Sequence, residues 1–181
     1  MIKYAVLKAV DSCLKSTGLN GIYFSNTLKS LVINHKDFGE QLVSDLSDGV
    51  RTIISMAMDI SYRMVRLNFH LGDRVIKETP GVVFIDEIDM HLHPLWQQFI
   101  LNDLRETFPN VQFIVTTHSP QVLSTVPPED IRILVWSSKF EGVFNTDFSL
   151  GAESSQLLQD IQNVNTRPHS LAIVKKLDKY L

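Results

Sequence analysis

The chain has 181 residues, of which 44% are apolar and 20% charged, an ordinary globular composition that excludes a disordered or collagen-like polymer and suits one domain with its own core. Lysine and arginine total 17 against 20 aspartate and glutamate, a net charge of −3, so no global basic field argues for strong nonspecific DNA binding by this chain. The single cysteine, Cys13, excludes an intrachain disulfide; MIKYAVLKAVDSCLK lacks a signal-peptide core and no run reaches the ~20 apolar residues of a membrane span, which together point to a cytoplasmic protein.

Residues 2 to 16 place Ile2, Ala5, Val6, Ala9, Val10 and Cys13 at helical spacing, and Gly18-Leu19-Asn20-Gly21 stops that helix. Extended pieces follow at Ile22 to Phe24 and Leu28 to Ile33. A polar turn at His35 to Gly39 and a short strand at Gln41 to Val43 complete an antiparallel set. From Ser47 the period returns to 3.6, with Val50, Ile53, Ile54, Ala57, Ile60, Met64 and Leu67 on one face of a helix reaching Phe69. Ser47 is a good N-cap, and a helix N-terminus offers free N–H groups to an anion, with Gly49 permitting close backbone approach.

After a polar connection, Leu71 to Thr79, and Pro80-Gly81, the run Val82-Val83-Phe84-Ile85 is too short for a helix and rich in β-formers. It reads as a strand buried on both faces of a parallel sheet. Asp86 and Glu87 follow at once. Ligands bind outside the carboxyl ends of such strands, and two carboxylates there cost desolvation energy unless a cation or proton offsets them. A magnesium nucleotide is the economical answer. Asp86 would hold hydrated Mg²⁺ and Glu87 would act as general base on the attacking water.

Ile88 to His93 is a loop, Pro94 opens a helix from Leu95 to Phe108, and Val111 to Val115 is a second buried strand, adjacent to the first if the crossover has the usual hand. His118 emerges just past its end, after Thr116 and Thr117, which cap the strand end or assist. Ser119-Pro120 begins a short helix that Pro127-Pro128 terminates. Ile131 to Trp136 is a third strand and Val143-Phe144 a fourth after a turn at Glu141-Gly142; helices over 153 to 164 and 168 to 180 close the chain.

Three blocks, Leu46-Ser47-Asp48-Gly49, Gly81 to Pro94, and Phe113 to Pro120 with His118 at the strand's end, resemble in order and rough spacing the signature motif, the Walker B and D-loop, and the switch histidine of ABC-type ATPases. The likeness is to the RecF, SMC and OLD branch, and within it to the bacterial AAA-family ATP-binding proteins of anti-phage systems such as Septu and some retrons. It runs from about Asp45 to the C-terminus. It implies an α/β fold, part of a P-loop NTPase-like ABC head. Residues 1–45 would be an N-terminal helix and strands, 46–136 the motif core, and 137–181 a C-terminal strand and helices. It implies ATP and Mg²⁺ as cofactors, Asp86 on the metal through water, Glu87 and His118 as the catalytic pair, and a dimer closed through the nucleotide. Ser47, Gly49 and His91 would reach the nucleotide in trans. Asp48 and Val50 stand where the family more often has glycine and glutamine.

A Walker A loop requires G-x-x-x-x-G-K-[ST], and no glycine here is followed by lysine. The chain therefore reads as the part of an ATPase head that needs a Walker A-bearing N-terminal half or a full-length homologue, gating a nuclease or other effector. Two other readings stay open: an inactive remnant serving as an interaction module, and a metal-dependent nuclease built on Asp86, Glu87, Asp89, His91, His93 and His118. A head without its other half would expose apolar sheet surface.

Overall fold

In a computed structural model the chain forms two compact units, Met1–Thr117 and His118–Leu181. Residues 2–136, 141–164, 170 and 174 are described.

The first unit opens with α1, Ile2–Cys13, followed by a 3-10 turn, Lys15–Thr17, and Gly18 in the left-handed region at φ +82°. Strands β1 (Leu19–Ser25), β2 (Ser30–His35) and β3 (Gly39–Leu42) pair antiparallel in that order. The next element, α2 (Asp48–Leu67), buries Val50, Ile53, Ile54, Ala57, Ile60, Met64 and Val65, the stripe its 3.6 period requires. Ser61 is a buried polar group on that stripe and is satisfied by donating to the Ala57 carbonyl at 2.5 Å. Leu67, predicted on the same face, is 77% exposed in the last turn.

The connection predicted as merely polar holds a 3-10 stretch, Phe69–Arg74, and the short helix α3 (Val75–Glu78), whose Val75 and Ile76 are buried. Then come β4 (Gly81–Ile85), α4 (Pro94–Gln97), α5 (Ile100–Thr107) and β5 (Val111–Val115). The expected single helix after Pro94 is broken at Gln98-Phe99, and only from Ile100 does the chain settle onto the core, with Ile100, Leu104 and the following Phe108 essentially inaccessible.

The core of this unit lies where α1 packs on α2 and α5. Val10, Cys13, Leu14, Leu104 and Phe108 are among its least accessible side chains. Polar groups at its margin are paired: the Thr107 hydroxyl donates to Ser12 at 2.9 Å, and Ser16 donates to the buried Asp103 at 3.0 Å. Burial holds the Asp103 carboxyl above its ordinary range, and burial likewise pushes the Cys13 thiol up to about 12. Cys13 is free.

Strands β4 and β5 run parallel in register from Gly81 opposite Val111 to Ile85 opposite Val115. The expectation that β4 is buried on both faces is not met. Val83 and Ile85 are half-buried, but Val82 is 54% and Phe84 75% exposed, beside Ile114 at 45%. The reason is physical: among the described residues of this unit no element covers that face. An apolar strand states only that both faces can be buried.

The second unit contains α6 (Pro120–Leu123), a 3-10 turn at Pro128–Asp130, the antiparallel pair β6 (Ile133–Trp136) and β7 (Glu141–Phe144), and α7 (Ser154–Asp160). Leu123, Ile131 and Leu157 form its core, with Val126, Ile133, Phe148, Ala152 and Ile161 packed against them. Glu141 and Gly142, expected to turn, are in β7 opposite Trp136 and Val135. The helix expected over 153 to 164 ends at Asp160, after which Asn163 takes φ +52°. The helix expected from Pro168 to Tyr180 lies, but for residues 170 and 174, outside the described residues. Across the described residues the strands form three separate sheets, β1-β2-β3, β4-β5 and β6-β7, and no described helix is long and apolar enough to cross a membrane.

Candidate functional site

The carboxyl ends of β4 and β5 lie side by side, so the residues just past them are neighbours. The ladder continues for one more step, with Thr116 N–H donating to the Ile85 carbonyl and Ile88 N–H to the Thr116 carbonyl, both at 3.0 Å. Between these two bonds the Thr116 hydroxyl accepts from Glu87 N–H at 2.8 Å and donates to the Asp86 carboxylate. Asp86 and Glu87 are both exposed at the strand end. Glu87 stands at φ +50°, in the left-handed region that non-glycine residues seldom adopt. Such strain, of the order of 1–3 kcal/mol, persists only where the surroundings hold it. The neighbouring ties are the ones just named.

The loop from Ile88 to His93 is pinned from below by two buried side chains, Ile88 and Leu92. Met90 N–H donates to the Glu87 carbonyl at 2.9 Å and Leu92 N–H to the Asp89 carbonyl at 3.1 Å. Thr117 donates to the Asp89 carboxylate, and the Gln97 amide binds the Asp89 and Leu92 carbonyls at 3.3 and 3.0 Å. His93 is the N-cap of α4, its Nδ1 accepting from Leu95 N–H at 3.2 Å ahead of Pro94. His91 has a different posture, exposed and at φ +62°.

That posture brings the His91 backbone onto the start of α2. A Cβ added to Gly49 would lie 2.4 Å from the His91 carbonyl oxygen and 3.0 Å from its carbon. Gly49 is thus buried beneath the loop within this chain. Ser47 is the N-cap of α2 with an extended backbone, φ −60° and ψ 154°, and is exposed; its hydroxyl makes no capping bond. Asp48 pairs with Arg51, whose guanidinium holds the Asp48 carboxyl below its ordinary range by hydrogen bond and charge, with a further contribution from His91. The sequence motifs at Ser47 to Gly49 and at His91 are therefore brought together.

His118 follows Thr117 directly in the chain and is the first residue of the second unit, with an exposed side chain and a carbonyl that accepts from the Gln162 amide at 2.8 Å. Ser119 caps α6 by accepting from Gln121 and Val122 N–H, with Pro120 in the first turn. The Ser-Pro pair after His118 is thus a helix start, as His93-Pro94 is.

Among the described residues no three histidine, cysteine, aspartate or glutamate side chains converge as a metal cage, so the six-residue nuclease cluster is not assembled. The donor set at Asp86 suits a different ion. An exposed carboxylate held by a hydroxyl fits hydrated magnesium, which takes most of its ligands from water and phosphate oxygens. Sequence reading treated Thr116 only as a capping or assisting residue and missed the Asp48–Arg51 pair and the Gln97 ties; the in-register pairing of β4 with β5 is the signal for the first, the i,i+3 spacing for the second.

The fold is similar to that of solved SMC ATPase heads. A structure described as "Structural biochemistry of ATP-driven dimerization and DNA stimulated activation of SMC ATPases" superposes with a TM-score of 0.59 over 88% of this chain and 92% of that one, at 14% identity. The chain belongs to the family described as "AAA domain, putative AbiEii toxin, Type IV TA system", which matches residues 29–124. Among its relatives is "Retron Ec83 probable ATPase" of Escherichia coli, 41% identical over 138 residues, which are 76% of this chain and 24% of that protein. "Septu protein PtuA" of Bacillus mycoides (strain KBAB4) is 40% identical over 101 residues, 55% of this chain and 13% of that protein. The chain thus spans about a quarter or less of the length of these relatives.

Proposed function

We propose that this chain supplies the signature, Walker B and switch-histidine elements of an ABC-type ATPase that hydrolyses ATP to ADP and phosphate in anti-phage defence, with the phosphate-gripping Walker A segment provided by another part of the assembly. The observation that carries the reading is the pair Asp86-Glu87, fixed at the carboxyl end of β4 with Glu87 in a conformation glutamate rarely takes. Asp86 would hold magnesium through water. Glu87 would accept the proton of the attacking water, and His118 would donate to the γ-phosphate. Ser47, Gly49 and His91 would face the nucleotide of a second head; the exposed Ser47 hydroxyl and the first turn of α2 leave donors available for an anion there.

Magnesium, when bound, supplies charge neutralisation at the phosphates; positioning and electrostatics do the rest of phosphoryl transfer. The dry phosphate cradle lies outside these residues, which also accounts for the uncovered apolar face of Val82, Phe84 and Ile114. The relatives' names support placement in retron- or Septu-like defence. The site being solvent-exposed without its cradle, the chain alone is expected to show no ATP turnover. Combined with a P-loop-bearing segment of a relative, it is expected to hydrolyse ATP only with Mg²⁺ present. Phosphate-release assays on the chain, the segment and the mixture test this; a mixture no more active than its parts contradicts it.

A further inference from the structure

Resting on that reading, we propose that Thr116 is a positioning residue that sets both members of the acidic pair with a single hydroxyl. A threonine hydroxyl carries one proton and two lone pairs. Here the proton goes to Asp86 and one lone pair receives Glu87 N–H at 2.8 Å. The two bonds have different effects. Asp86 Oδ1 is engaged, which restrains the carboxylate and would leave Oδ2 for a hydrated cation. Glu87 N–H is drawn toward β5, which holds the residue at φ +50° and directs where its side chain leaves the backbone.

The backbone reinforces this. Thr116 N–H and C=O bond Ile85 and Ile88 on either side of the acidic pair, so the hydroxyl is carried on a fixed strand end and not on a free loop. A β-branched residue there also restricts χ1, which keeps the hydroxyl aimed. Outer groups that orient a ligating carboxylate are worth 10- to 100-fold in metal affinity or activity when removed. A serine keeps both bonds and loses only stiffness. A valine keeps the shape and loses both.

A plain strand-end cap predicts something else, namely altered stability with an unchanged magnesium requirement. Two measurements separate these. First, in this chain without nucleotide, amide exchange followed by NMR is expected to show Glu87 N–H protected in wild type and Thr116→Ser, and exchanging about 3- to 10-fold faster in Thr116→Val. Second, in the P-loop-complemented assembly, Thr116→Val is expected to raise the Mg²⁺ concentration for half-maximal hydrolysis about tenfold or more and to lower kcat by about 10- to 100-fold, with Thr116→Ser close to wild type. Thr116→Ala serves in the same way if the valine variant folds poorly. Wild-type Mg²⁺ dependence and exchange in Thr116→Val, alongside a Glu87→Gln variant that is inactive, overturn the positioning role alone. An active Glu87→Gln variant overturns the assignment of the base and this proposal with it.

Discussion

Replacing Gly49 by alanine is expected to destabilise the chain and displace the Ile88–His93 loop, even with no nucleotide present. The two competing terms can be weighed. Alanine in place of glycine inside a helix ordinarily favours the helix by up to about 1 kcal/mol. Here the added Cβ would sit 2.4 Å from the His91 carbonyl oxygen, a backbone atom with no flexible end to swing aside. Overpacking of that kind costs about 1–3 kcal/mol, so the steric term wins. His91 already holds a left-handed backbone and Leu92 is buried beside it, which leaves the loop little room to yield without losing its anchor. Thermal unfolding of wild type and Gly49→Ala checks this: a midpoint lowered by a few degrees is expected. A raised midpoint would mean that Gly49 serves only an approaching phosphate.

Glu87→Gln is expected to lower ATP hydrolysis in the complemented assembly by about 10²- to 10⁴-fold, the range that a positioned general base contributes, while nucleotide affinity changes little. The amide keeps the size of the side chain and its backbone tie to Thr116, but it cannot take a proton from water. Because the main-chain geometry is set by Thr116 and not by the Glu87 side chain, the variant should leave Asp86 in place. Single-turnover rates beside fluorescent-nucleotide binding separate the two effects. A rate within twofold of wild type would remove Glu87 from the chemistry.

The elements around this site were legible where the physics is local. The 3.6 period of Val50, Ile53, Ile54, Ala57, Ile60 and Met64 fixed the buried face of α2, and two β-branched runs located β4 and β5. Ser47 and Pro94 marked helix starts correctly, although the capping acceptor at α4 is the His93 ring nitrogen Nδ1 and Ser47 makes no such bond. What could not be read depends on contacts distant in sequence. Nothing about Glu87 or His91 as residue types announces φ near +50° or +60°; those conformations are imposed by β5 and by α2. Likewise, nothing in the sequence announces that the His91 carbonyl lies where a Cβ on residue 49 would be. The uncovered Val82 and Phe84 have the same origin, since an apolar run cannot say which neighbour lies over it. The break at Gln98-Phe99 interrupts an amphipathic pattern that continues on both sides, so periodicity passes straight through it.

The most direct measurement is a structure of this chain with its P-loop-bearing complement, Mg²⁺ and a non-hydrolysable ATP analogue. The account predicts a magnesium ion beside Asp86, linked through water, with the Glu87 carboxylate and the His118 ring both facing the γ-phosphate. A nucleotide seated elsewhere, with Asp86 and Glu87 turned to bulk solvent, would contradict it.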